Sequence, residues 1–168
     1  MPVLRAIALD VDGVLTDGGV WWGPHGAEWK RFCFADIMGV SLARKAGIAV
    51  TLISGEESPL VDRFADKLGL AETTQGCKDK AAALRGFAER NELHLDEICF
   101  MGDDINDLPA MDLAGYSAAP SNARPAVLRR ADVITQAVGG NGAVRELVDL
   151  ILAGELPRVM RTQRRQSA

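Results

Sequence analysis

The feature of this sequence that most constrains its fold is the regular alternation of short apolar runs with segments of helical periodicity. Apolar runs cover residues 4–9, 48–53 and 98–101, and none contains more than one charged residue. Runs of this length are typical of strands that are buried on both faces of a sheet. Apolar residues at helical spacing follow in Ile37 to Ala46, Leu60 to Leu68 and Lys80 to Asn91.

This alternation predicts an α/β fold of three layers, with a Rossmann-like parallel sheet between two layers of helices. The carboxyl ends of all parallel strands then lie along one edge, where such sheets bind ligands. Later in the chain we expect strands near residues 116–118 and 133–134, and helices over 123–130 and 143–152.

The length and charge pattern indicate one domain followed by a short tail. We assign residues 1–154 to the domain and residues 155–168 to the tail, in which four arginines are crowded together. These are Arg158, Arg161, Arg164 and Arg165. Such a tail is either solvated or in contact with a phosphate or a partner, and both interpretations remain open.

The composition excludes several functional classes. A formal net charge of −4 provides no general attraction for nucleic acid. Apolar runs stay far below the roughly 20 residues that cross a bilayer. The three cysteines form no CxxC pair, which argues against a disulfide framework or a zinc cage. The first strand begins almost at Met1, without a signal peptide, so we expect a cytoplasmic protein without membrane contact.

One segment interrupts the alternation directly after the first strand. Residues 14–34 contain all three tryptophans and a Gly-Pro-His-Gly turn at 23–26. This pattern predicts a β-hairpin flap. The flap either packs on its own domain or offers an apolar surface to another subunit.

Polar clusters follow the first two predicted strands. Asp10 and Asp12 stand at the end of the first strand, before Gly13, which is typical of a turn but also of a catalytic carboxylate pair. Ser54 and Gly55 follow the second strand and precede a helix. A hydroxyl with free amides at a helix N-terminus either caps the helix or binds phosphate.

Two further clusters complete the set. Lys80 opens a predicted helix and is a candidate cation for a phosphate, with Lys78 as the competing lysine. Asp103, Asp104 and Asp107 follow the third strand, and clustered carboxylates at a strand end suit Mg²⁺. Helix capping is the alternative for Asp104 and Asp107.

Together, these motifs resemble the haloacid dehalogenase superfamily. The match consists of Asp10-x-Asp12-Gly-Val-Leu-Thr-Asp, Ile53-Ser54-Gly55, Lys80 and Gly102-Asp103-Asp104-x-x-Asp107. From about Leu4 to Leu152, the chain is similar to the small phosphatases of this superfamily that lack a cap domain. Those enzymes act on 3-deoxy-D-manno-octulosonate 8-phosphate or on nonulosonate 9-phosphates.

The resemblance implies a role for each motif. Asp10 would be the nucleophile that forms an aspartyl-phosphate, and Asp12 would be the general acid and base. Dehalogenases lack an acid at the position of Asp12, so a phosphatase is favoured. Ser54 and Lys80 would hold the phosphoryl oxygens.

The same resemblance implies a Mg²⁺ site and an assembly. Asp10, the backbone carbonyl of Asp12 and Asp103 would bind the ion, while Asp104 and Asp107 would orient the site. Similar phosphatases without a cap are usually homotetramers, in which the flap of a neighbouring subunit covers the active site.

The substrate follows less directly. Gly55, Glu56 and Lys67 are candidate substrate-binding residues, and Glu56 with Lys67 resembles the nonulosonate branch. That branch tends to have a basic residue where this chain has Phe64. Two other functions stay open. One is a phosphatase of an unrelated small ester. The other is a non-catalytic assembly module similar to the domain that follows acylneuraminate cytidylyltransferases.

Overall fold

The computed structural model describes residues 4–157, so the tail from Arg158 onward lies outside the described residues. The strands are β1 (Ala6–Leu9), β2 (Trp21–Trp22), β3 (Glu28–Trp29), β4 (Ala49–Ile53), β5 (Thr73–Thr74), β6 (Ile98–Met101), β7 (Tyr116–Ala119) and β8 (Val133–Ile134). The helices are α1 (Phe34–Lys45), α2 (Pro59–Leu68), α3 (Lys80–Arg90), α4 (Leu108–Leu113), α5 (Pro125–Leu128) and α6 (Ala143–Ala153).

Six of these strands form one sheet in the order β5-β4-β1-β6-β7-β8, and every neighbouring pair is parallel. The strand order places β1 between β4 and β6, so the three runs that the sequence singles out form the centre of the sheet. The prediction of a parallel α/β sheet is confirmed.

Alternating strand residues supply the two sides of the core. In β1, Ile7 and Leu9 join one buried cluster, whereas Ala6 and Ala8 join the other. Helices α1, α2 and α6 cover the first face, and α3, α4 and α5 cover the second. This is the predicted three-layer arrangement, and it follows from the two-residue period of side chains along a strand.

The flap is a separate two-stranded antiparallel sheet, in which Trp21 pairs with Trp29 and Trp22 with Glu28. A short 3₁₀ turn, Pro24–Gly26, connects its strands. The predicted hairpin is present, but its paired part is shorter than residues 14–34. Val14, Leu15 and Thr16 instead form a buried turn directly after β1.

Some elements differ from the sequence predictions. Strand β5 has two threonines and no apolar run, so it lacks the signal by which strands are recognised. Helix α4 has six residues, too few to display a helical period. Helix α5 is limited to Pro125–Leu128 instead of 123–130 because Pro125 disfavours a helical conformation at the residue before it.

None of the helices within residues 4–157 has both the length and the apolar character that a membrane span requires.

Candidate active site

The candidate site lies at the carboxyl edge of the central strands. Asp10 follows β1, Ser54 follows β4 and Asp103 comes two residues after β6. Backbone hydrogen bonds extend the sheet pairing past the strand ends, from the Asp10 amide to the Met101 carbonyl (3.0 Å) and from the Ser54 amide to the Thr74 carbonyl (2.8 Å). Parallel pairing of β1 with β4 and β6 therefore brings the predicted motifs together.

A buried ion-pair network occupies the centre of this edge. The Lys80 ammonium lies 2.7 Å from Asp10 Oδ1 and 2.6 Å from Asp107 Oδ1. The side chains of Lys80 and Asp107 are 1% and 0% exposed. Lys78, the competing lysine, is exposed and donates a long hydrogen bond to the Gly55 carbonyl. The structure thus places Lys80, rather than Lys78, beside Asp10.

Burial and crowding of carboxylates change the protonation equilibria of this network. Burial, followed by the nearby charge of Asp107, raises the pKa of Asp10 to about 8, although Lys80 opposes the shift. Burial alone would lower the pKa of Lys80, but the charges of Asp10 and Asp107 together raise it above its usual value. Lys80 is therefore held as a cation between the two carboxyl groups.

Asp103 completes an acidic cluster with Asp10 and Asp107. One carboxylate oxygen from each of these residues lies within 4.8 Å of the other two. Burial, and then the charge of Asp107, raises the pKa of Asp103 to about 6. Oxygen ligands in this arrangement could hold a hard divalent cation.

Asp107 connects the parts of the acidic cluster through its two carboxylate oxygens. Besides its contact with Lys80, its Oδ2 accepts hydrogen bonds from the amides of Asp103 (2.9 Å) and Asp104 (3.1 Å). The Asp104 side chain caps the 3₁₀ turn Ile105–Asp107 through the Ile105 amide. Asp107 therefore fixes both Lys80 and the loop that carries Asp103, while Asp104 stabilises the turn below it.

Two glycines allow the loops of the site to approach one another closely. Gly13 has a φ of +95°, and a Cβ atom there would lie 2.1 Å from Asp103 Oδ2. A Cβ atom on Gly139 would lie 1.8 Å from the Gly13 carbonyl oxygen. A side chain at Gly13 would push the loop after Asp10 away from Asp103, and one at Gly139 would push that same loop away from residue 139.

An open cavity of about 410 Å³ lies above this network. Its lining includes most of the sequence-predicted site residues, namely Asp10, Asp12, Gly55, Glu56, Lys80, Asp103 and Asp104. Ser54 is buried next to Gly55, and its Oγ accepts the Glu56 amide at 3.3 Å. The cavity is polar and large enough for a small phosphorylated molecule.

Ser54 and Asp107 are buried beside the residues that line the cavity, whereas Lys67 neither lines it nor contacts the acidic network. It is exposed in the last turn of α2, which begins near the carboxyl edge and runs away from it. Phe64 is buried on the same helix and stacks on Phe32, with 4.6 Å between the ring centroids. The place of a basic residue in the nonulosonate branch is thus a core position here.

Sequence reasoning missed several residues of the site. Asn106, Asn122 and Arg124 line the cavity, and the Lys30 ammonium lies 2.8 Å from Asp12 Oδ1. A second cavity of about 310 Å³ adjoins Asp12 between the flap and the loop that contains Glu56 and Glu57. One sequence signal could have indicated Lys30. It stands two residues after Glu28, so in an extended hairpin strand both side chains point to the same face.

Comparison with known proteins gives a consistent relationship. The family described as haloacid dehalogenase-like hydrolase matches residues 65–147. The 3-deoxy-D-manno-octulosonate 8-phosphate phosphatase of Escherichia coli K12 is 37% identical over 152 residues, which cover 90% of this chain and 81% of that protein.

Solved structures agree with this relationship. The octulosonate 8-phosphate phosphatase of Moraxella catarrhalis, in complex with magnesium, phosphate and its sugar acid, is 36% identical, with a TM-score of 0.89 over 92% of this chain and 88% of that one. The cobalt-bound phosphatase of Haemophilus influenzae is 32% identical, with a TM-score of 0.89 over 92% and 90%.

Proposed function

Because this chain belongs to the haloacid dehalogenase-like hydrolases, we propose that it is a Mg²⁺-dependent phosphatase of a phosphorylated 2-keto-3-deoxy sugar acid. The observation that carries the proposal is the position of Asp10, whose carboxylate contacts the buried Lys80 ammonium at 2.7 Å and lines the cavity with Asp12. A nucleophile, a cation and a second carboxyl group thus face one space of suitable size.

The proposed reaction has two steps. In the first, an Asp10 oxygen attacks phosphorus, the bond to the sugar oxygen breaks, and that oxygen takes the proton of the Asp12 carboxyl group. In the second, Asp12 takes a proton from water, which attacks phosphorus and breaks its bond to Asp10. Inorganic phosphate is released, and both side chains return to their original protonation states.

Charge neutralisation is the main contribution of the remaining residues. Phosphoryl transfer requires mainly positioning and stabilisation of negative charge. Lys80 would contact the transferring group from its buried position beside Asp10, and Ser54 with the amides of Gly55 and Glu56 would receive the other oxygens. A phosphate would therefore replace part of the contact that Lys80 now makes with Asp10.

The residues present fit a divalent cation. Asp10, Asp103 and Asp107 supply three oxygens, and burial, followed by the charge of Asp107, raises the pKa values of Asp10 and Asp103, so a bound cation would relieve their charge. We assign Asp10, Asp103 and the Asp12 backbone carbonyl as ligands, with Asp107 and Asp104 orienting them. When bound, Mg²⁺ would neutralise charge on the phosphoryl oxygens.

The substrate assignment rests on the relatives and on the cavity. The named relatives above act on 3-deoxy-D-manno-octulosonate 8-phosphate, which favours that ester. Glu56 lines the cavity, and we propose that its carboxylate accepts hydrogen bonds from the sugar hydroxyls. Lys67 does not line the cavity of its own chain, so within one chain Glu56 alone supports a nonulosonate 9-phosphate.

We also propose a homotetramer in which the flap covers the site of a neighbour. Trp21 and Trp22 are 71% and 79% exposed, and Phe34 at the start of α1 is 80% exposed. Such a concentration of exposed aromatic side chains is typical of an interface between subunits. The complete set of site residues argues against a purely structural assembly module.

The nucleophile assignment is tested by replacing Asp10 with Asn. We expect Mg²⁺-dependent phosphate release from the octulosonate ester to fall at least about a thousand-fold, because the amide is a poor nucleophile. The fold should persist, since asparagine has nearly the shape of aspartate and Lys80 keeps its 2.6 Å contact with Asp107. Asp66→Asn changes an exposed aspartate of α2 and is the matched control.

Retained turnover in Asp10→Asn would contradict the mechanism. The substrate is tested separately, by comparing the rates of the unaltered protein on the octulosonate 8-phosphate and on two nonulosonate 9-phosphates. A preference for either nonulosonate ester would contradict the assignment that we favour.

A further inference from the structure

The part of the flap nearest the domain is fixed to the chain's own active-site loops. We call residues 28–32 the flap stem and residues 20–27 the flap tip. In the stem, Glu28 Oε1 accepts a hydrogen bond from Ser58 Oγ (3.2 Å), and Arg31 Nη1 donates to the Gly140 carbonyl (3.0 Å). Phe32 stacks on Phe64. The stem is thus attached at three points, whereas Trp21 and Trp22 of the tip are largely exposed.

Lys30 lies between these attachment points, and its ammonium contacts the Asp12 carboxylate. The Lys30 ammonium lies 2.8 Å from Oδ1 and 3.0 Å from Oδ2 of Asp12. The Lys30 side chain is 5% exposed, although the Asp12 side chain is 31% exposed. A lysine ordinarily keeps its ammonium in water, so this burial requires the surrounding stem to be well packed.

The supporting contacts restrict Lys30 to this position. Glu28 Oε1 lies 3.9 Å from the Lys30 ammonium, which is an ion pair beyond hydrogen-bonding distance. Glu28 itself is held by Ser58 and by Trp22 Nε1, which donates to Glu28 Oε2 at 3.3 Å. The acid of the stem therefore partly balances the charge of Lys30 and connects it to the N-cap of α2.

We propose that Lys30 is a positioning residue that holds the Asp12 carboxyl group at the angle required for proton transfer to the leaving oxygen. The flap of each chain would then serve its own active site through the stem, whatever the tip does in a neighbouring subunit. This inference rests on the proposed phosphatase function, in which Asp12 is the acid and base.

The physical reason is the conformational freedom of a partly exposed aspartate side chain. Without a partner, a partly exposed carboxyl group rotates about two side-chain torsions and is seldom within the roughly 2.6–3.2 Å of the leaving oxygen that proton transfer requires. A single ammonium in contact with both oxygens fixes these torsions. Each carboxylate oxygen still has a free lone-pair site, so Asp12 can exchange a proton with the substrate.

The dependence of rate on the leaving group tests this role. Lys30→Met keeps an unbranched apolar side chain that is one atom shorter, and it removes the ammonium. The substrates are 4-nitrophenyl phosphate, phenyl phosphate and an alkyl phosphate, in order of increasing need for a proton on the departing oxygen. The measured quantity is kcat/KM, which reports on the first, leaving-group-dependent step.

We expect a loss that grows along this series. For the alkyl phosphate, kcat/KM should fall about 30-fold, since a misplaced general acid loses much of its contribution. For 4-nitrophenyl phosphate, whose anion departs without a proton, the loss should stay below about three-fold. Lys45→Met, at an exposed lysine of α1, is the control and should leave all three values unchanged.

The dependence of kcat/KM on the leaving group distinguishes a positioning role from a general loss of active enzyme. A partly unfolded or metal-depleted variant would lower all three rates by one factor, and such a parallel loss would overturn the inference. Unchanged rates in Lys30→Met would overturn it as well. If the unaltered protein released phosphate neither from these esters nor from the octulosonate 8-phosphate, the proposed function itself would fail, and that outcome is visible without any variant.

Discussion

The buried acidic network and the flap tip lie close together but are built in opposite ways. Lys80 and Asp107 are almost fully buried and paired within one chain, whereas Trp21 and Trp22 expose most of their surface. The groups that we propose for phosphoryl transfer therefore lie together in a single chain. The flap tip is different, because Trp21 and Trp22 contact only other residues of the hairpin in the interactions described above and leave most of their apolar surface exposed.

The largest effect should come from removing the cation of the buried network. In metal-free protein, Lys80→Met should lower the free energy of unfolding by about 3 kcal/mol, because it leaves Asp10 and Asp107 buried without their partner. Lys78→Met is the matched control and should change it by less than about 0.5 kcal/mol. Chemical denaturation measures both, and equal effects would contradict the distinction between the lysines.

A smaller effect should appear in the pH dependence of stability without metal. The raised pKa values of Asp10 (about 8) and Asp103 (about 6) mean that the folded chain binds more protons than the unfolded one between the ordinary and the raised pKa values. Their contribution to stability is therefore complete below about pH 4 and is lost as the pH rises through about 6 and then about 8.

Thermal unfolding with and without Mg²⁺ checks this prediction. From about pH 5 to about pH 8 we expect the Tm of the metal-free protein to fall by at least about 4 °C. Added Mg²⁺ should raise the Tm more at the higher pH, where the carboxylates are ionised. Burial also raises the pKa of Asp36, which lies away from the acidic cluster, so its share of the fall should persist with Mg²⁺. A Tm that rises with pH in the absence of metal would refute the burial argument.

The smallest effect on the single chain should come from the flap tip. Replacing Trp21 and Trp22 together by Ser should change the stability of the isolated subunit by only about 0.5 kcal/mol, because both side chains are exposed. The same change should dissociate the proposed tetramer, as measured by light scattering.

The control for the tip is Ile134→Ser, an exposed apolar residue in β8. It should leave the assembly intact. A protein that is monomeric before any substitution would contradict the proposed role of the tip in a neighbouring subunit.

Much of the fold could be predicted because its signals are local. The central strands consist of continuous apolar runs, and the residues that follow them must lie at one edge of a parallel sheet. Strand β5, with two threonines, and helix α4, with six residues, have no comparable signal. They are stabilised by the rest of the sheet and could be found only in the structure.

Some residues of the candidate site could likewise be predicted from local signals, and others could not. Asp10 and Asp103 both follow predicted strands, so their place at one edge of a parallel sheet could be predicted, whereas the direct pairing of β1 with β6 came from the structure. Lys30 is 18 residues from Asp12, and their contact depends on how the hairpin turns back over the site. The exposure of Lys67 likewise depends on the direction of α2 and on the packing of Phe64, which no motif encodes.

By itself, the sequence determined the sheet, the motifs at its edge and the chemistry that these motifs imply. Those features follow from residue type and from spacing along the chain. The tertiary structure alone decided that Lys80 lies between Asp10 and Asp107, that Lys30 reaches Asp12 and that the tryptophans of the tip are left exposed. Such contacts join residues far apart in sequence, and burial and charge, which decide their energies, exist only once the chain has packed.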